Sequence, residues 1–447
     1  MDTPIFDFVT AYKTGGPIRL HMPGHKGRAL FGVEDRDLTE IPGADSLYEA
    51  NGVIAESEAN ASRLFGCPTF YSTEGSSQCI RAMLFLSMQH AIRSGKTPKI
   101  LAARNAHRTF LSAAALLDPD VCWLFDDAPS YLSATPSPAS VAAAIERERP
   151  TALYLTSPDY LGNVIDLKPI ATVCHERGVL LLVDNAHGAY LRFLTPSLHP
   201  IDLGADLCCD SAHKTLPALT GGAYLHVSPA LSVRAAEAKD ALALFGSTSP
   251  SYLILQSLDL LNPVLETIPA RLNAFLPQLS ALKARLCSDG WALYGNEPLK
   301  LTLLPKGRGY TGAALAGLLE SAGIFAEFAD PDFLVCMFTP ENGPDDLSKL
   351  ERALAAVPVR EPISECPPVP VRPECVCSVR EAMLSPCRTV PASEACGVLA
   401  RCGVGCPPAV PILMPGERID EAAIEAFAYY GIDRISVLCR TDPSVCF

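Results

Sequence analysis

Val179-Leu180-Leu181-Leu182-Val183-Asp184-Asn185-Ala186-His187 is the stretch that decides the architecture of this chain. An apolar run of strand length ends at an acid. Open α/β sheets place their ligands in this position, in the crevice at the carboxyl ends of the strands. Further along, Ser211-Ala212-His213-Lys214 follows the apolar stretch Ala205-Asp206-Leu207-Cys208-Cys209. An acid and a lysine so placed suit pyridoxal 5'-phosphate. That group needs an amine to condense with its aldehyde and a carboxylate at its ring nitrogen. The carboxylate keeps the nitrogen protonated, so the ring can take up electron density from a bond breaking at a substrate α-carbon. Lys214 and Asp184 are the candidates for these two roles.

Outward from this centre, apolar runs alternate with helical patterns between about residues 46 and 263. The strand candidates are Ile100–Ala102, Ala152–Leu155, Val179–Val183, Asp206–Cys208 and Ala223–His226. Such alternation is the signature of a mostly parallel sheet wrapped by helices. Residues 1–45 read as an N-terminal arm with turns at Gly15-Gly16-Pro17 and Pro23-Gly24. A helical stretch from about Val264, expected to be interrupted near Pro269 and Pro277, opens a smaller α/β domain over 264–356. Its strand candidates are Leu299–Leu304 and Phe333–Phe338. Residues 357–373, with Pro367-Pro368, read as a linker, and 374–447 as a C-terminal domain.

A chain of 447 residues is long enough for two or three domains with large cores. It has no run of roughly 18 uncharged apolar residues, so no membrane span is expected, and no basic-then-apolar leader is visible at its start. A soluble, cytoplasmic protein is the expectation. The formal charge of −13 disfavours nucleic acid and anionic membranes as partners and agrees with a small cationic substrate. Seventeen cysteines in a reducing compartment read as thiols, most of them small buried apolar residues. Of Cys375, Cys377, Cys402 and Cys406, only Cys402-x3-Cys406 has zinc-arm spacing, so no metal is expected.

Glu74-Gly75-Ser76-Ser77 precedes a helical run from about Gln78 to Ile92. A glycine and two hydroxyls at a helix start offer backbone N–H groups, hydroxyl donors and the positive end of the helix dipole, which suits a phosphate. The string by itself is more often an ordinary serine N-cap than a phosphate site. By themselves His107, just after the strand ending near Ala103, reads as a solvated or hydrogen-bonded loop histidine, and His187, three residues past Asp184, as a structural one.

Six strings together resemble the bacterial ornithine/lysine/arginine decarboxylases. They are His21-Met22-Pro23-Gly24-His25-Lys26-Gly27, Arg104-Asn105-Ala106-His107-Arg108, Asp184-Asn185-Ala186-His187-Gly188, Ser211-Ala212-His213-Lys214-Thr215-Leu216-Pro217, Thr248-Ser249-Pro250-Ser251-Tyr252 and Met414-Pro415-Gly416-Glu417. The resemblance implies an α/β, aspartate aminotransferase-like large domain of fold-type I with smaller α/β and C-terminal domains. It also implies pyridoxal phosphate and the decarboxylation of arginine, lysine or ornithine, as in polyamine biosynthesis. Gly75, Ser76 and Ser77 would hold the phosphate, His107 would stack on the ring, and His187 would help orient Asp184. Ser211 and His213 would touch the phosphate and the reacting side of the substrate, with His213 or Lys214 as proton donor. The N-terminal arm would help build a homodimer or a larger homo-oligomer. Glu56, Asp159 and Glu327 are candidates to meet a cationic substrate end. The chain departs from the family at Glu74, Cys79, Arg401 and Gly405–Pro411. Two other classes share Asp184 and Lys214: another fold-type I enzyme such as an aminotransferase, and a non-catalytic homologue.

Overall fold

The computed structural model describes residues 1–125, 130–370, 372–401, 404–406 and 410–439. Its α/β strands are β1 (Thr69–Ser72), β2 (Lys99–Ala103), β3 (Asp120–Leu124), β4 (Ala152–Thr156), β5 (Leu180–Asp184), β6 (Leu207–Asp210) and β7 (Ala223–Val227). The expected α/β class is the observed one, and all five strand candidates of this region are strands. The chain divides into two compact units, residues 1–96 with 167–274 and residues 97–166 with 275–447.

In the first unit the strands run in the order β1-β7-β6-β5. β5 and β6 are parallel, while β7 is antiparallel to both β6 and β1. Every residue of β5 is buried, which is why its sequence is a continuous aliphatic run rather than an alternation. The register pairs Asp184 with Cys209, so β6 continues one residue further, to Asp210. The helix Gly75–Arg93 follows β1 and lies against β6 and β7. In the N-terminal arm, the Glu34 carboxylate accepts the backbone N–H groups of Leu30, Phe31, Gly32 and Val33. The buried Arg19 guanidinium donates to the carbonyls of Glu34, Asp35 and Asp37. This ordered loop turns Leu30 and Phe31 to solvent, 80% and 86% exposed.

The second unit orders its strands β4-β2-β3, all parallel. It also holds an antiparallel sheet, β10-β11-β9-β8, made of β8 (Leu293–Tyr294), β9 (Lys300–Leu303), β10 (Phe328–Ala329) and β11 (Leu334–Met337). Beyond the described part of 357–373, which has neither helix nor strand, come two small antiparallel pairs. They are β12 (Cys387–Pro391) with β15 (Arg434–Leu438) and β13 (Val404–Cys406) with β14 (Val410–Leu413). Ile412, Leu413, Phe427, Ile435 and Val437 pack in one core with Leu161, Phe333 and Val335.

The expected helix interruption is displaced. The break falls at Glu266 and Thr267, between the helices Tyr252–Leu265 and Ile268–Ser288. Pro269 occupies the first turn of the second helix, where an N–H has no intrahelical partner to lose, and Pro277 stays inside it.

All fourteen cysteines whose side chains are described are free thiols. Cys67, Cys79, Cys174, Cys208, Cys209 and Cys336 are buried; Cys287, Cys366, Cys375, Cys387 and Cys396 are exposed. Cys402, the Cys406 side chain and residues 407–409 lie outside the described residues, and with them most of the divergent Gly405–Pro411 segment. Among the described residues no helix is long and apolar enough to cross a membrane.

Candidate active site

Asp184 ends β5 at 3% exposure. Its Oδ1 accepts the Ala186 N–H at 3.1 Å and the Cys209 thiol at 3.6 Å. Burial pushes the Cys209 thiol well above its ordinary range, so it remains a proton-bearing donor. The chain then turns, with the Asn185 N–H on Cys209 O at 3.0 Å and the Gly188 N–H on Asn185 O at 2.7 Å. This turn carries His187, which is buried.

Lys214 comes from the other side of the strand pair. The single helical turn Ala212–Thr215 starts directly after β6, capped by Ser211, whose carbonyl accepts the Lys214 N–H at 3.1 Å. From there the amine reaches His187, with Nζ 3.0 Å from Nε2. His213 donates from Nδ1 to the Gly222 carbonyl at 3.0 Å, a tautomer that leaves Nε2 to exchange a proton.

Ser211 also reaches the helix Gly75–Arg93, where its hydroxyl donates to Ser76 Oγ at 2.9 Å. Gly75 has φ +70°, a left-handed conformation that glycine adopts without strain, and no heavy atom lies within 4 Å of where a Cβ would stand. Ser77 lies in the same first turn. Glu74 makes no side-chain hydrogen bond to the helix start. Its carboxylate instead accepts the Ser247 N–H, which ties it to that loop. The structure therefore assembles Asp184, His187, Ser211, Lys214, Ser76 and Gly75 within the first unit. Open space at Gly75, two convergent hydroxyls, a buried carboxylate and a lysine amine form a donor set that fits a phosphorylated pyridine aldehyde.

His107 stands in the second unit as the N-cap of the helix Arg108–Leu117, with Nδ1 accepting the Thr109 N–H at 3.2 Å. Three residues earlier, Arg104 makes a two-pronged ion pair with Glu417, at 2.6 and 3.0 Å. Arg104 also donates to Ile412 O at 3.2 Å and lies over the Phe125 ring. Glu417 is 1% exposed, and its Oε2 accepts the Met414 N–H at 2.7 Å. The strings Arg104–Arg108 and Met414–Glu417 are thus one structural object. Among the acidic candidates for a substrate cation, Asp159 is committed to the N–H and side-chain amide of Asn163, at 2.8 and 2.7 Å. Glu327 accepts from the Tyr160 hydroxyl at 2.8 Å. Glu56 lies in the first turn of the helix Val53–Phe65.

Sequence reading missed a buried cluster under the site. The Asp210 carboxylate receives Asn185 Nδ2 on Oδ1 at 2.6 Å, and His199 Nε2 and His226 Nε2 on Oδ2 at 3.2 and 3.1 Å. The only signal was the position of Asp210 next to Ser211. The two histidines follow no motif and meet the acid only through the folding of β6, β7 and the loop before them.

The fold is that of the fold-type I class of pyridoxal phosphate enzymes. A lysine decarboxylase of Francisella novicida superposes with a TM-score of 0.80 at 17% identity, over 98% of this chain and 81% of that one. Residues 3–294 match the family described as Orn/Lys/Arg decarboxylase, major domain, and the chain belongs to that family. An uncharacterized protein of Bacillus subtilis (strain 168), YaaO, is 31% identical over 95% of this chain and 93% of its own. An arginine decarboxylase of Halalkalibacterium halodurans is 29% identical over 94% of this chain and 91% of its own.

Proposed function

We propose that this protein uses pyridoxal 5'-phosphate to decarboxylate a basic amino acid, arginine, lysine or ornithine, to the corresponding amine and carbon dioxide. The observation that carries the proposal is the convergence of Asp184, the Lys214–His187 pair and the Ser76–Ser211 pair in one unit. Family membership and the arginine decarboxylases among its relatives support the substrate class. When bound, the cofactor supplies a ring that accepts the electron pair released as the carboxylate leaves.

The rest is work for this chain's own residues. Lys214 Nζ would hold the cofactor through its aldehyde. Asp184 would keep the proton on the ring nitrogen. Ser76, Ser77, Ser211 and the Gly75 turn would hold the phosphate at the helix start. Lys214 Nζ or His213 Nε2 delivers the proton that replaces carbon dioxide at the α-carbon, and His187 Nε2 can exchange a proton with that amine. The exposed N-terminal arm is where a second copy of the chain would pack.

The test is the visible spectrum of purified protein with pyridoxal phosphate, before and after arginine, lysine or ornithine, with carbon dioxide followed in parallel. A visible band lost in Lys214→Ala, with carbon dioxide from one of the three, is the expected result. A band without carbon dioxide would point to another fold-type I reaction. No band at all would mark a non-catalytic homologue.

A further inference from the structure

Beneath the residues assigned above lies a carboxylate that the proposed chemistry does not touch. Asp210 is fully buried, as are His199 and His226. Both imidazoles donate from Nε2 to one oxygen, Oδ2, while Asn185 donates to the other. Thr69 Oγ1 lies 2.9 Å from the far nitrogen of His226. The ring of Phe65 packs on His226 and His199, with centroids 4.6 and 5.8 Å away. Burial pushes the Asp210 carboxyl up, but the two imidazoles outweigh it and hold the acid well below the ordinary carboxylate range. Burial lowers His226 as well, against the opposing pull of the Asp210 carboxylate.

His199, Cys208 and Asp210 lie close enough together to suggest a metal centre. Their geometry is that of a proton network instead. The distances on Asp210 are donor–acceptor lengths, the opposite oxygen is taken by an amide N–H, and burial keeps the Cys208 thiol protonated.

We propose that Asp210 is a positioning residue that fixes both chain segments of the active site. Through its backbone it leads directly into Ser211-Ala212-His213-Lys214. Through Asn185 it holds the turn that carries Asp184 and His187. The two histidines set the orientation of the carboxylate, so one buried anion sets the separation between the acid of β5 and the amine beyond β6. A well-placed site depends on such supporting contacts, and a displacement of about 1 Å can cost about 10²-fold in rate. The proposal rests on the cofactor reading for its catalytic consequence but not for its structural one.

Two variants test it: Asp210→Asn, and Asn185→Ala, which cuts the link to the turn while leaving the acid and its histidines in place. Hydrogen exchange on the protein without added cofactor should accelerate about tenfold or more at residues 184–188 and 211–216 in both, the scale of one hydrogen bond to a charged group. The same variants, loaded, should lose about 10²-fold in kcat with little change in KM, bind pyridoxal phosphate more weakly and shift the pH midpoint of its visible band. Unchanged exchange in both variants would overturn the proposal, as would acceleration spread evenly over the first unit, which would mark a purely structural core group. One equivalent of zinc in the isolated protein would overturn it too. A wild-type protein that never gains a visible band would instead refute the cofactor reading, and exchange would still decide the role of Asp210.

Discussion

At the scale of single residues, Gly75 shows how backbone conformation and chemistry are joined. Its positive φ turns the chain into the helix start, and the space beside it is open, so a methyl group there meets no atom. Gly75→Ala is therefore strained only in its backbone, by about 1–2 kcal/mol. The expected outcome is a modest drop in melting temperature with a larger loss of pyridoxal phosphate affinity, read by titrating the protein with cofactor. Asp184 and Lys214 were legible because each stands at the end of an apolar run. Glu74 was not. Its sequence position puts a carboxylate beside the proposed phosphate site, and only the fold shows that its side chain is bound to Ser247. Asp210 was hidden for a similar reason, since a buried acid is explained by partners that lie 11 and 16 residues away in sequence.

At the scale of elements, two devices carry separate predictions. The Glu34 carboxylate, gripped first by the Phe31 N–H, is held down to about 2 from an ordinary 4.5. A depressed acid adds stability above its unfolded value and loses it as pH falls toward the folded value. The loop Leu30–Val33 should therefore keep slow amide exchange above about pH 4.5 and lose it between there and about pH 2, while Glu34→Gln should show fast exchange already at neutral pH. The Arg104–Glu417 pair ties the C-terminal segment to the loop that ends in His107. Glu417→Ala leaves the Arg104 guanidinium, whose side chain is 12% exposed, without its anion and should cost about 3–5 kcal/mol, measured by denaturant unfolding. A strand such as β5 was legible because a strand buried on both faces is aliphatic nearly throughout. The helix break was not, because proline marks a boundary only when its missing N–H or its ring conflicts with the preceding turn, and Pro269 sits where neither matters.

At the scale of the whole molecule, the N-terminal arm leaves Ile18, Leu20, Leu30 and Phe31 each at least 80% exposed on a loop already ordered by Glu34 and Arg19. Large apolar side chains on a fixed loop mark an association surface. The protein should run as a dimer or larger species in sedimentation, and Phe31→Glu should shift it toward the monomer. The distribution of its thiols has a separate consequence. Of the exposed thiols, Cys366, Cys375, Cys387 and Cys396 fall beyond residue 360 and Cys287 before it, whereas Cys208 and Cys209 lie inside β6 with thiols that burial keeps protonated. A thiol-specific reagent would thus keep time on the fold without any engineered label. Modification at the chain's far end would start at once, and modification of the β6 pair would wait for the strand to leave the sheet, so the interval between the two phases would report how often the site comes apart.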